Sequence, residues 1–158
     1  MNKRVKKTVS SIFIGAMIFF ISSLAWAQGS LEGRRQVVLE GKAALVSVDT
    51  AGGSIVDFHL SGQNLNPLTW NYPDKGDLKP RTIGHFICFD RWGQPSQQEL
   101  KNGMPFHGEV AQVEWQVLSQ PVKKAGAVDA VMVCRLPIGG LELKRFLSLS
   151  DASPVLTV

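Results

Sequence analysis

The sequence predicts an all-β protein, an antiparallel β-sandwich. Three observations carry this. Short runs of β-branched and apolar residues follow one another after the first 27 residues. Glycine- and proline-rich stretches punctuate them. No segment of helical length beyond that point holds apolar residues at a spacing of three to four. Many short strands separated by turn signals bury their faces in a sandwich or a barrel.

The first element is a leader. Lys3, Arg4, Lys6 and Lys7 form a positive start, residues 11–24 are apolar and uncharged, and Ala25-Trp26-Ala27 places small residues at a cleavage site. That order is the pattern of a secretory signal peptide, removed after Ala27. The apolar run is shorter than the roughly 20 residues that cross a bilayer, so no retained membrane anchor is expected. The mature chain, 28–158, is expected outside the inner membrane, in the periplasm, and has the length of one small domain.

Removing the leader changes the meaning of the charge. The whole chain has 17 basic and 13 acidic residues and a formal charge of +4. Four of those basic residues lie in the leader, which has no acid, so the mature chain is close to neutral. No basic stripe remains to hold phosphates, which excludes nucleic acid as a partner.

The strands follow in order. Residues 35–40, 43–49 and 54–60 form the first group, separated by Gly41 and by Gly52-Gly53. Ile55, Phe58 and Leu60 break clean alternation, which predicts a bulge or burial on both faces. A long loop, 61–81, leads to a short apolar strand at 84–89, and a second glycine- and proline-rich loop covers 91–106. Loops of such length in a compact domain are usually functional or flexible. Residues 109–118 alternate, with Val113, Trp115 and Val117 on one face, and 130–136 and 141–149 continue the series. Residues 153–158 read as a strand just begun. A strand ending there leaves an apolar edge of the kind natural proteins cover, so the sandwich is expected to be incomplete at the C-terminus.

Cys88 and Cys134 are the only cysteines. Export permits a disulfide, and burial as two free thiols in apolar runs fits equally well. Their spacing resembles no metal site, and no cofactor is expected.

Residues 103–109, Gly-Met-Pro-Phe-His-Gly-Glu, carry the main chemical signal. His107 stands where a loop meets a strand, a place from which a sheet can aim a side chain into a cleft. A neutral imidazole both donates and accepts hydrogen bonds, as a sugar hydroxyl requires. The plain alternative is a histidine that caps its loop. Trp92, Trp70 and Phe106 offer stacking faces for a sugar ring, with packing as the alternative, and Trp115 reads as core. His59 and His85 read as structural, and no spacing rule makes Asp90 and Glu99 a glycosidase pair.

These features resemble the N-terminal part of the galactose mutarotase-like superfamily, the aldose 1-epimerases and their relatives. The matching residues are Gly52-Gly53-Ser54-Ile55-Val56, Asn64-Leu65-Asn66-Pro67, and Pro105-Phe106-His107-Gly108-Glu109 with Trp115 beyond. The resemblance covers 37–158 and implies a sandwich of the supersandwich type that binds carbohydrate. It implies that His107 holds the sugar and that an arginine from an earlier loop assists. Arg81 and Arg91 are candidates, Arg91 preferred, with an ion pair to Asp90 or Glu99 as the alternative for it. The chain departs from the family in its catalytic set. Relatives use a second histidine as acid and a late glutamate as base, but no histidine follows His107, and none of Glu109, Glu114 and Glu142 stands at the base's position. Sugar anomer interconversion by acid–base catalysis is therefore expected of complete relatives and not of this chain. A glycan-binding module, a part of a polysaccharide-degrading enzyme and a structural envelope protein are the rival readings.

Overall fold

The computed structural model describes residue 31 and residues 33–158. The leader and its cleavage site lie outside the described residues. The rest is an all-β fold of two antiparallel sheets. The first sheet holds β1 (Gln36–Glu40), β2 (Ala44–Asp49) and β3 (Ile55–Leu60) in the order β1-β2-β3. The second holds β4 (Gln116–Lys124), β5 (Ala127–Leu136), β6 (Leu141–Ser150) and β7 (Leu156–Thr157), again in sequence order.

Alternation builds the core. Val37 and Leu39 on β1 and Val46 and Val48 on β2 turn one face inward, where they meet Met132 on β5 and Leu147 on β6. Each such aliphatic side chain contributes about 1.5–3 kcal/mol when fully buried. The irregular pattern in β3 has the predicted cause. The register slips between Ser47 and Val48, which face Asp57 and Ile55, so Val56 is the extra residue. Val56 turns to the opposite face of the sheet and packs with Leu31 and Ile83 in a second, smaller cluster.

One glycine requirement is steric and exact in origin. A Cβ on Gly53 would stand 2.4 Å from Nε1 of Trp115, whose indole is buried in the core. The glycine pair before β3 and the tryptophan before β4, distant in sequence, are thus one packing unit between the sheets. Arg145 on β6 reaches the same turn and donates to the carbonyl of Gly53. Burial pulls the Arg145 guanidinium down to about 10.

Two expected strands differ in detail. Residues 84–89 form no strand, only an isolated bridge between His85 and Ile55. Gly84 has a positive φ, and the ladder with the edge strand β3 stops after one reciprocal pair of bonds. The stretch expected as a strand from 109 begins instead with a 3-10 turn, Val110–Gln112, and the strand starts at Gln116. Trp115 and Val117 still turn to the core, as the alternation predicts. Within the expected loop 91–106 lies a short helix, α1 (Gln97–Lys101). Ser96 accepts from the Glu99 backbone while the Glu99 side chain accepts from Ser96, a capping box written in the sequence as Ser-x-x-Glu.

The connection from β3 to β4 is attached to the outer face of the first sheet by buried polar groups. Arg34 forms an ion pair with Asp49 at 2.6 Å and donates to the carbonyls of Asp77, Lys79 and Ala51. Burial raises the Asp49 carboxyl, and the Arg34 guanidinium opposes that rise. Asn66 adds bonds to the carbonyl of Val56 and the hydroxyl of Tyr72.

Candidate functional site

The connection between the sheets assembles a site around His107 in three steps. The bridge at His85 sets the segment 85–88 beside β3. In an extended segment residues two apart share a side, so Phe86 and Cys88 point the same way. Both reach His107: the Phe86 ring lies 5.3 Å from the imidazole and Cys88 Sγ lies 3.3 Å from Nδ1.

The turn at 91–94 closes the second side. The backbone N–H of His107 donates to the Gly93 carbonyl at 3.0 Å, and the Gly93 N–H donates to His107 Nδ1 at 3.1 Å. Arg91 braces this turn from within, its guanidinium donating to the Gln94 carbonyl, with Glu99 3.7 Å away. That arrangement holds Trp92 up, and its ring meets the His107 ring edge-on at 5.8 Å.

The third step fixes the backbone. His107 has φ +65, a left-handed conformation uncommon for a residue with a side chain, and Gly108 follows at φ +83. A Cβ on Gly108 would stand 2.2 Å from the Asp90 carboxylate, which instead receives the Glu109 N–H on both oxygens. Glu109 is buried, and its carboxylate accepts from the backbone N–H groups of Ile138 and Gly139 at 2.7 Å each. The loop is thereby tied to the hairpin between β5 and β6. Strained backbone of this kind persists where the surroundings over-determine it, and it clusters at functional positions.

The outcome is a histidine walled by rings. Phe106 lies 4.0 Å from His107, edge-on, and Trp70 stacks on Phe86 at 5.7 Å. Trp92 is 80% exposed, Trp70 56% and Phe106 55%, so the wall faces solvent and is not core. Because Nδ1 receives the Gly93 N–H, it is an acceptor, and the hydrogen-bond network assigns the proton of the neutral ring to Nε2. The site therefore presents one N–H donor among aromatic faces. A pyranose offers hydroxyl acceptors and an apolar face of C–H groups, which such a surface complements.

The other predicted residues fall in different places. Arg81 bonds Asp77 at 3.0 Å and Asn71 at 3.4 Å, away from the His107 contacts. Arg91 stands beside the site, with its guanidinium engaged in the turn. His59 is paired with Asp57 at 2.7 Å, as a structural histidine should be. His85 is exposed, and its backbone rather than its ring makes the bridge. Asp90 and Glu99 hold different backbone groups and form no pair. Cys88 and Cys134 are both free thiols. Cys134 is core, whereas Cys88 belongs to the site, a placement its apolar neighbours did not disclose.

A separate concavity of about 1290 Å³ lies on the outer face of the second sheet, beside Gln116, Leu118, Val133 and Lys144. Within its lining Arg135 pairs with Glu142 at 3.1 Å. Its lining also carries Gln112, Glu114 and Lys144, and His107 is not among its lining residues.

No family model matches the chain, and no curated protein matches it. Among solved structures it is similar to the one titled "Crystal Structure Analysis of HI1317", with a TM-score of 0.53 and 15% identity. The match covers 73% of this chain and 40% of that one, so this chain spans well under half of that structure's length. The likeness is one of fold. It agrees with the two-sheet architecture and carries nothing about ligand or activity.

Proposed function

We propose that the domain binds carbohydrate at the His107 site and does so without catalysing anomer interconversion. The observation that carries this reading is the His107 ring itself, held in a left-handed backbone with Nδ1 occupied, its proton assigned to Nε2, and set beside the exposed rings of Trp92 and Phe106. In this reading Nε2–H donates to a sugar oxygen, and Trp92 with Phe106 covers the C–H face of the ring. Arg91 supports Trp92 through the turn and is not itself a sugar ligand, and Arg81 is outside the contact set.

The carboxylates near His107 in the fold are occupied in holding the loop. Asp90 caps the Glu109 N–H, Glu109 caps the β5–β6 turn and Glu99 caps α1. General base catalysis needs a carboxylate within reach of the proton it removes, and these three have other work. The family resemblance to aldose 1-epimerases stays part of the proposal, as does export with cleavage after Ala27. N-terminal sequencing of the mature protein should then read from Gln28.

The binding test is a titration of tryptophan fluorescence with D-galactose, D-glucose and N-acetyl-D-glucosamine. A saturable change is expected for at least one of them. His107→Ala and Trp92→Ala should each weaken it about tenfold, the effect of losing one hydrogen bond or stacking contact of about 1.4 kcal/mol. A flat response to all three sugars in a folded protein would sink the carbohydrate reading. Polarimetry on the same samples would overturn the non-catalytic part if it showed accelerated mutarotation.

A further inference from the structure

Cys88 and His107 lie 19 residues apart in sequence and meet with Sγ 3.3 Å from Nδ1. A thiol beside an imidazole has two opposite uses. In a nucleophilic pair the imidazole takes the thiol proton, which leaves thiolate against imidazolium. In a positioning pair the thiol keeps its proton and donates it to the ring.

The Gly93 N–H decides between them. It donates to the same Nδ1 at 3.1 Å, so a proton passed there from the thiol would stand against the Gly93 N–H, and the thiolate–imidazolium arrangement is disfavoured. With Nδ1 an acceptor, the bond to Cys88 runs from S–H to nitrogen. The thiol's surroundings agree, since burial first and the Asp90 charge second raise Cys88 above the ordinary cysteine range. Cys88 is half-buried between the rings, where a hydrated thiolate would be poorly accommodated.

We infer that Cys88 is a positioning residue for His107, whose S–H holds Nδ1 so that the ring presents Nε2–H to the ligand. The inference builds on the carbohydrate reading for what the donor serves, but the geometry of the pair stands without it. Gly93 alone holds the nitrogen from one side, through a turn at the surface. Cys88 holds it from the segment bridged to β3 and so couples the ring to the sheet. Two donors on one nitrogen fix both the tautomer and the rotation of the imidazole against Phe106 and Phe86.

The test reads the histidine ring nitrogens by long-range proton–nitrogen correlation in protein labelled with ¹⁵N-histidine. It is run at about pH 8.5, well above the ordinary histidine range near 6.5, where rings are neutral. His107→Ala identifies the His107 signals against those of His59 and His85. Wild type should show a single tautomer with Nε2 protonated. Cys88→Ala should shift both nitrogens toward the averaged values of a tautomer mixture, and Cys88→Ser, which keeps a donor, should restore the wild-type pattern. A parallel D-galactose titration should find Cys88→Ala weakened about fivefold and Cys88→Ser within about twofold, the scale of one modest hydrogen bond. Wild-type His107 protonated at Nδ1, or Cys88→Ala with wild-type nitrogen shifts, would overturn the assignment. If no sugar binds but the nitrogen pattern behaves as expected, the carbohydrate reading fails and the role of Cys88 stands.

Discussion

The two sheets and the connection that joins β3 to β4 are stabilised by opposite means. The sheets rely on repetition, with ladder hydrogen bonds and an alternating apolar face that any β-branched or aliphatic residue can supply. The connection has few strand bonds, and its apolar burial is confined to a few anchors such as Ile83, Val110 and Trp115. Single polar side chains hold it: Arg34 on the carbonyls of Asp77 and Lys79, Asp90 on the Glu109 N–H, Glu109 on the β5–β6 turn. Apolar packing is non-directional and tolerates exchange, while a carboxylate that captures two N–H groups does not. The molecule therefore keeps a tolerant frame and an exacting loop, and the proposed site is in the loop.

The largest expected effect tests the frame. Leu147 is 1% exposed between the sheets, and Leu147→Ala should lower stability by about 2–5 kcal/mol in urea denaturation. Sugar affinity of the remaining folded protein should be unchanged, because no contact of His107 passes through Leu147. A change in affinity comparable with the change in stability would mean that frame and loop are one unit.

Glu109→Ala should invert the pattern. It strips the acceptor from the N–H groups of Ile138 and Gly139 and should cost about 1–3 kcal/mol. The heavier consequence is expected at the site, where hydrogen exchange at 104–109 should accelerate and the tryptophan response to sugar should disappear. Exchange confined to the β5–β6 hairpin would break the comparison.

His107→Gly separates stability from function within one residue. Glycine accepts φ +65 without penalty, so the melting temperature should rise slightly, by the equivalent of about 1 kcal/mol at most. Sugar binding should be lost with the ring. A lower melting temperature would show that ring contacts outweigh backbone strain.

The smallest effect is a pH dependence at the rim of the second sheet. Asp129 is lowered by its bonds from Ser148 and Lys124. Asp151, desolvated in part, is on balance lowered too by Lys42 and Lys123. A carboxylate whose folded value lies below its unfolded one stabilises the fold above the ordinary carboxylate range and loses that contribution as pH falls through the folded value. Thermal stability should thus decline below about pH 4. Asp129→Asn and Asp151→Asn together should flatten that decline, and an unchanged slope would assign it to other carboxylates.

Legibility in the sequence followed the same division. β1, β2, β3, β5 and β6 were visible within a residue or a few at each end, because alternation is a local property. The irregularity of β3 was visible too, as a bulge or burial on both faces, since Ile55, Phe58 and Leu60 fail to alternate. The segment 84–89 misled, because an apolar run of that length reads the same whether it pairs with a strand or lines a site. The helix α1 was missed although Ser96 and Glu99 spell its capping box.

The sequence by itself determined an all-β chain, the inward faces of its strands and Trp115 as core. Those follow from residue type and spacing over fewer than about ten positions, the range over which strand periodicity acts. The tertiary structure alone decided that Cys88, Gly93 and His107 meet, that Asp90 and Glu109 secure the loop, and that Arg91 braces a turn. Such contacts join segments through the path of a loop, and hydrogen-bond geometry selects them only after the sheets have set where its ends lie.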